Sequence, residues 1–346
     1  MTPIFTILLI PFLLAMFLAV TMGGSGTSPA FSAAYGANII RKNLIPGLFG
    51  IFVFAGAIIA GKQVALTLGK GILAPDAMTL TLTSIIFLSV ALSLLIANLL
   101  GVPQSTSQST VFAMSGPAVY LNMLNSKKLF LEIIPTWFIL PIIAFILMYL
   151  IGKFVYKPLK QIVIIRFDQL SNHPVLKYIV IISSCFVAFA IGANNVANAS
   201  GPIASMLVNE LEIDIKGDKF ILVMIISTLI IAPCFGIGSS VFGHKVVKTT
   251  GKEIIKIGPL GATIISLLTA SLILSASLIR GIPTSLVQLN TAAIIALGVS
   301  KVGWNNILRD NTVRKVWIIW IIAPVFALIL SLLLTFIADV LGILNY

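Results

Sequence analysis

The sequence predicts an all-α polytopic membrane protein made of two inverted repeats with broken helices and re-entrant hairpins. Three observations carry that prediction. Of 346 residues, 59% are apolar and only 9% charged, against about a quarter charged in soluble domains. The apolar residues come in long continuous runs rather than in alternation, which suits spanning helices and excludes a transmembrane barrel. Polar, glycine-containing stretches interrupt these runs at matching places in the two halves.

Taken in order, residues 3–22 are long enough to cross a bilayer at about 20 residues, and they lack the basic start of a signal peptide. Met22–Tyr35 (MGGSGTSPAFSAAY) is small and polar and ends before Arg41 and Lys42. Residues 44–60 are apolar and dotted with Gly47, Gly50 and Gly56, which suits close helix packing. Gly61–Asp76 is amphiphilic, with Lys62, Lys70 and Pro75. Residues 77–100 span again, and Gly101–Thr110 (GVPQSTSQST) is a run of hydroxyls and amides. Residues 111–124 are apolar but short, which favours a re-entrant segment over a crossing. Residues 130–151 span.

Residues 153–177 carry Lys153, Lys157, Lys160, Arg166, Asp168, His173 and Lys177, and the positive-inside rule makes this linker cytoplasmic. It divides the chain into an N-terminal repeat, 1–152, and a C-terminal repeat, 178–346. In the second repeat, residues 178–192 lead into Ile191–Pro202 (IGANNVANASGP). Residues 220–242 span, His244–Lys256 is basic, and 257–279 span. Gly281–Thr291 (GIPTSLVQLNT) precedes a short apolar run, 292–299, and residues 316–343 span.

The net charge is +12, held in short loops. That is the bias of cytoplasmic loops rather than a nucleic-acid surface. Cys185 and Cys234 lie far apart in apolar segments, so no disulfide framework is expected. His173 and His244 fall in basic loops. No nucleophile–base pair, metal-ligand cluster or nucleotide-binding loop is legible, so neither an enzyme nor a cofactor is expected.

The repeat rests on three alignments. Gly101-Val-Pro-Gln-Ser-Thr-Ser-Gln108 matches Gly281-Ile-Pro-Thr-Ser-Leu-Val-Gln288 at offset 180. Gly56, Gly61 and Gly69 match Gly238, Gly243 and Gly251 at offset 182. Gly23-Gly24-Ser25-Gly26 matches Gly192-Ala193-Asn194-Asn195 at offset 169. Duplicated halves with polar broken segments are the pattern of secondary transporters, which bind substrate near the midplane. An odd number of crossings per half would invert the repeats and put both termini on one side, outside.

Pro103 and Pro283 suit a first helical turn, followed by Ser105, Thr106 and Ser107 in one half and Thr284 and Ser285 in the other. A helix start offers free N–H groups, a positive dipole end and hydroxyl donors. Two such starts facing each other would hold a tetrahedral oxyanion without Arg or Lys; ordinary capping is the alternative. Gln108 and Gln288 either touch substrate or bridge the two hairpins. Asn194, Asn195 and Asn198 offer amide donors to an anion, carbonyls to a cation, or hydrogen bonds between helices. Their counterpart, Ser25–Ser28, has hydroxyls and no amide.

None of the ten Asp and Glu lies within the repeated motifs. Protonated phosphate carries an O–H that wants an acceptor, whereas sulfate wants donors only. The motif set therefore suits sulfate better, although amide and backbone oxygens can also accept. Glu132 is either an intramembrane proton carrier or a surface residue beside Lys127 and Lys128, the reading favoured here.

IGANNVANASGPIA resembles the GANDVANAxG signature of the inorganic phosphate transporter (PiT) family, and PQSTSQ and PTSLVQ resemble its PxST(T/S)H segment. The resemblance runs from the first span to the last. It implies inverted repeats, two re-entrant hairpins, an oxyanion bound near the midplane, and sodium held with help from the Asp and Asn of the signature. This chain departs at Asn195, where the family has Asp. It departs also at Met22–Ser28, which lacks the Asp-Asn pair, and at Gln108 and Gln288, which replace a His-like position. GGSG at 23–26 and NLLGVPQSTS at 98–107 are similar to the family's sulfate permease branch. The resemblance thus implies import of sulfate, or a related tetrahedral oxyanion, across the cytoplasmic membrane. Protons rather than Na+ are the expected coupling ion, and a homodimer is left open. The implied site is Ser105, Thr106, Ser107, Thr284 and Ser285, with Ser25, Gly26, Asn194, Asn195, Asn198, Gln108 and Gln288 around them. A sodium- or proton-coupled phosphate symporter and an anion channel are the competing readings; a channel would show charged rings, and none is legible.

Overall fold

The computed structural model describes residues 4–36, 38–156, 174–212, 219–247, 258–304 and 311–344. Most of the predicted linker, 157–173, residues 248–256 of the predicted basic loop and the first residue of the span predicted after it lie outside the described residues. The first half comprises α1 (Ile4–Gly36), α2 (Ile45–Ala60), α3 (Lys62–Lys70), α4 (Leu80–Leu100), α5 (Thr106–Tyr120) and α6 (Ile134–Ile151). The second half comprises α7 (Pro174–Asn195), α8 (Ala197–Glu210), α9 (Lys219–Ile231), α10 (Pro233–Gly238), α11 (Pro259–Ser275), α12 (Leu286–Val302) and α13 (Asn311–Val340). Among the described residues, eight helical stretches are long and apolar enough to cross a membrane. Their outward faces are apolar and exposed, as with Ile59, Phe138 and Ile321.

The glycines found by the repeat offsets are where the two halves lock together. A Cβ on Gly23 would sit 2.2 Å from the Phe235 carbonyl oxygen, and one on Gly238 1.9 Å from that of Val20. The mirror contacts are Gly192 on Val53 O, 2.0 Å, and Gly56 on Phe189 O, 1.9 Å. So α1 packs on α10, and α2 on α7, backbone against backbone. Small residues at such crossings let helices approach closely in lipid.

These contacts also fix the orientation. Farther along α2 and α3, Ala65 and Gly69 meet Gly201 and Ser205, so that both chains advance together and α7–α8 runs parallel to α2–α3. Likewise α1 runs parallel to α9–α10, since Val20 meets Gly238 and Thr27 meets Gly243. Successive helices α1 and α2 are antiparallel; the first helices of the two repeats therefore point in opposite directions, and the repeats are inverted.

Each half also contains a hairpin that returns to its own side. α4 ends in Gly101 at φ +70°, with Val102 N–H bonded to Ala97 O at 3.0 Å, a glycine helix stop. The chain doubles back through extended residues to Ser105, and α5 carries it home. Its end, Leu124–Asn125, pairs with Ile72–Leu73, just ahead of α4. The second hairpin repeats this plan, turning at Gly281 (φ +61°). Two N-terminal N–H groups of each short helix are thereby left at membrane depth, where every backbone group needs a partner.

Four sequence expectations change in detail. Met22–Tyr35 does not follow the first span as a separate polar stretch but continues α1 as one helix to Gly36. The Asn-rich stretch is helical too, interrupted only by a turn at Val196. Without competing water, intrahelical bonds keep Gly-, Ser- and Asn-rich backbone helical. Pro103 and Pro283 precede their helices by three residues, in the extended lead, instead of sitting in a first turn. The short helices begin earlier than 111 and 292, because the hydroxyl run is itself helical. Glu132 takes the surface reading: it is partly exposed and ion-paired with Lys128.

Candidate functional site

The two hairpin tips meet at the centre of the molecule, and their helix starts are capped identically. Ser105 Oγ accepts from Gln108 N–H and Ser285 Oγ from Gln288 N–H, both at 3.2 Å. Each hydroxyl keeps its own proton to donate. No described residue accepts from the first two N–H groups of α5 or α12, so both helices present their positive ends to the same region.

Gln108 and Gln288 bridge the hairpins. Each Nε2 donates to the other's Oε1 at 3.0 Å, a closed amide pair on the pseudo-twofold axis. Asn194 ties the hairpins together a second time. Its Oδ1 accepts from Ser107 Oγ and from Thr284 N–H, both at 3.2 Å. Its Nδ2 donates to Ser277 Oγ at 2.8 Å and Ile282 O at 3.2 Å. That is a full set for one amide. Asn198 Nδ2 reaches Ser107 Oγ and Thr106 Oγ1 at 3.3 and 3.4 Å.

Between these groups lies a narrow cavity. It is lined by Gly26 and Pro29 of α1, Gln104, Ser105 and Thr106 of the first hairpin, Ile191 and Asn195 of α7, and Ser285, Leu286 and Val287 of the second hairpin. At about 10 Å³ it holds roughly one water molecule. Around it, Asn195 Oδ1, Asn198 Oδ1, Gln104 Oε1, Thr284 Oγ1 and Ser28 Oγ are buried without a hydrogen-bond partner among the described residues. An orphaned buried polar atom costs about 1–3 kcal/mol, and a cluster of them marks a place where the protein's own groups do not complete the bonding. The amides can turn, presenting NH2 or oxygen. Every lining group is neutral; the described carboxylates, Asp76, Glu132, Glu210, Glu212 and Asp339, sit at helix ends and in loops.

All twelve predicted residues thus fall in one neighbourhood except Ser25, which acts one layer out. Ser25 Oγ donates to Asn98 Oδ1 at 2.7 Å, and Asn98 Nδ2 donates to Thr21 O at 2.7 Å. This is the mirror of Asn194–Ser277 with the residue types exchanged: Ser on the first helix and Asn on the hairpin's first leg, against Asn and Ser.

Besides Ser277, four contributors were missed from sequence. Gln104 donates to Ser93 Oγ at 3.1 Å and also to Ser109 Oγ, and Asn98 was read as part of an apolar span. Trp137 Nε1 donates to Pro283 O at 2.8 Å, and Trp320 Nε1 to Pro103 O at 3.4 Å. Each Trp lies on the last helix of one half and fixes the hairpin of the other. The signal was available: Trp137 and Pro141, and Trp320 and Pro324, repeat a four-residue spacing at offset 183.

Comparison with known proteins follows the same lines. Residues 22–331 match the model of a phosphate transporter family. Over 323 residues the chain is 32% identical to the sulfate permease CysP of Bacillus subtilis (strain 168), covering 93% of this chain and 85% of that one. It is 26% identical to a probable low-affinity inorganic phosphate transporter of the same organism, covering 87% of each. A solved structure titled the sodium-dependent phosphate transporter superposes with a TM-score of 0.79 at 23% identity, over 97% of this chain and 99% of that chain, which is a likeness of fold.

Proposed function

The chain belongs to the phosphate transporter family, and from that premise we propose that it is a secondary transporter that imports sulfate, coupled to protons. One observation carries the reading. Two serine-capped helix starts converge on a cavity whose polar lining consists of hydroxyls, amides and N–H groups, beside apolar side chains, and includes no carboxylate. A fully deprotonated oxyanion needs donors only, and helix N-termini supply them without a full positive charge. The likeness to a sulfate permease supports the same choice. The cavity is smaller than a tetrahedral anion, so binding requires the hairpins to separate slightly, and the Gln108–Gln288 and Asn194 bonds are those that must lengthen. Gly26 and Asn195, where the family resemblance implies carboxylates for sodium, are neutral, which favours protons. The linker, by this reading, faces the cytoplasm.

Replacing Ser105 and Ser285 together by Ala removes both caps and both hydroxyl donors. Sulfate uptake into proteoliposomes should fall at least a hundredfold, with the protein still eluting as a single folded species in detergent. Uptake within twofold of the unmodified chain would remove the two-hairpin site from consideration. A phosphate reading is favoured by one observation: Asn195 Oδ1 and Gln104 Oε1 are unpaired acceptors able to receive the O–H of protonated phosphate. Competition by phosphate distinguishes the two.

A further inference from the structure

The inverted repeat builds one peripheral cleft twice, and one copy is richer in polar side chains than the other. The first cleft, about 130 Å³, is lined by Ala57, Lys62, Ala65, Val196, Met224, Ile225 and Thr228. The second, about 410 Å³, is lined at the repeat-equivalent positions by Ser239, His244, Val247, Thr27, Lys42, Asn43 and Pro46. The offsets are those of the repeat, 182 throughout and 169 for Thr27. Lys62 stands where the second cleft has His244, but elsewhere the architecture does not require this polarity: Met224 and Ile225 stand where the second cleft has Lys42 and Asn43, and Ala57 where it has Ser239.

The second cleft has the furnishing of a site. Ser239 is 2% exposed and its Oγ has no partner among the described residues. It begins a π-helical turn, Ser239–Gly243, a distortion frequent at functional sites. Lys42 and His244 stand at the mouth, exposed, and Tyr35 and Asn43 complete the wall. No carboxylate lines the cleft. An ammonium, an imidazole, an amide, a phenol and a buried hydroxyl together recognise an oxyanion. We propose that this cleft, on the linker side of the membrane and separate from the central cavity, binds a phosphate- or sulfate-type oxyanion, either as the free ion or as the headgroup of an anionic lipid.

The test has two arms, both on the full chain. In one, protein in detergent free of anionic lipid is titrated with inorganic sulfate. In the other, nanodiscs of phosphatidylcholine with a minor share of phosphatidylglycerol are opened in a native mass spectrometer and bound phosphatidylglycerol is counted. Lys42→Gln with His244→Gln should weaken binding about tenfold in one arm, and that arm identifies the source of the oxyanion. Ser105→Ala with Ser285→Ala should leave the cleft's binding intact. Ser239→Leu, which fills the cleft but keeps Lys42 and His244, should weaken binding in the same arm. Binding of both probes unchanged by the Lys42→Gln, His244→Gln double variant, or by Ser239→Leu, overturns the proposal, as does an absence of peripheral binding in both arms. Should the double variant fail to fold, Lys42→Gln alone, at an exposed position, should still weaken binding about threefold, and unchanged binding of both probes then overturns the proposal.

Discussion

At the scale of the residue, the two halves solve one bonding problem with exchanged side chains. Asn194 meets Ser277 in the second half, and Ser25 meets Asn98 in the first. Each pair joins a first helix to the hairpin's first leg. Ser25→Asn alone would bring two amides together in a space made for one, where even a Cβ added to neighbouring Gly24 would lie 2.9 Å from Asn98 Nδ2. Asn98→Ser alone would remove both the acceptor of Ser25 Oγ and the amide that donates to Thr21 O. Each single change is expected to cost about 1–3 kcal/mol, read as a fall in thermal midpoint in detergent. The double exchange, Ser25→Asn with Asn98→Ser, copies the second-half arrangement. It should recover at least half of the summed loss; strict additivity would show that the pairs are not equivalent. Ser25 and Asn194 stood out in sequence as polar residues in apolar surroundings. Their partners did not, because a lone Asn98 or Ser277 inside an apolar run looks like any other residue of a span, and pairing across 73 or 83 positions has no local signature.

At the scale of the element, the hairpins are positioned from outside by the Trp donors of α6 and α13. Their acceptors, Pro103 O and Pro283 O, lie in the extended leads that aim α5 and α12 at the cavity. Trp137→Phe keeps the ring, which stacks on Phe112 at 5.9 Å, and removes only the donor. A buried hydrogen bond is worth about 1 kcal/mol net, so the protein should stay folded. Transport should nevertheless drop several-fold, because the second hairpin loses its anchor. A large loss of stability with unchanged transport per folded molecule would make the bond purely structural. The hairpins themselves were legible as Gly-x-Pro followed by hydroxyls and a short apolar run. The continuity of α1 through MGGSGTSPAF was not: glycine, serine and proline signal a loop in water, whereas here α7 and α10 supply the packing and lipid supplies no alternative partner.

At the scale of the whole molecule, the repeat offsets read from glycine spacing proved to be contact rules, since Gly23, Gly56, Gly192 and Gly238 form the reciprocal crossings. What the sequence could not sort was the charge. Once the topology is known, most of the 22 Lys and Arg belong to segments joining elements on the linker side, among them Arg41, Lys42, Lys153, Lys177, Lys245 and Lys301. That distribution predicts a cytoplasmic linker. In intact cells, with Cys185 and Cys234 replaced by Ala, a cysteine at Asn122 should react with an impermeant maleimide and one at Asn43 should not; the reverse would invert the topology. The central claim is a carboxylate-free oxyanion site between two helix starts. It is tested most directly by radiolabelled sulfate uptake into proteoliposomes under an imposed proton or sodium gradient, with phosphate as competitor. The account predicts uptake driven by the proton gradient and unaffected by phosphate. Uptake that requires sodium, or that phosphate blocks, would contradict it and show that the unpaired oxygens of Asn195 and Gln104 serve as acceptors in place of carboxylates.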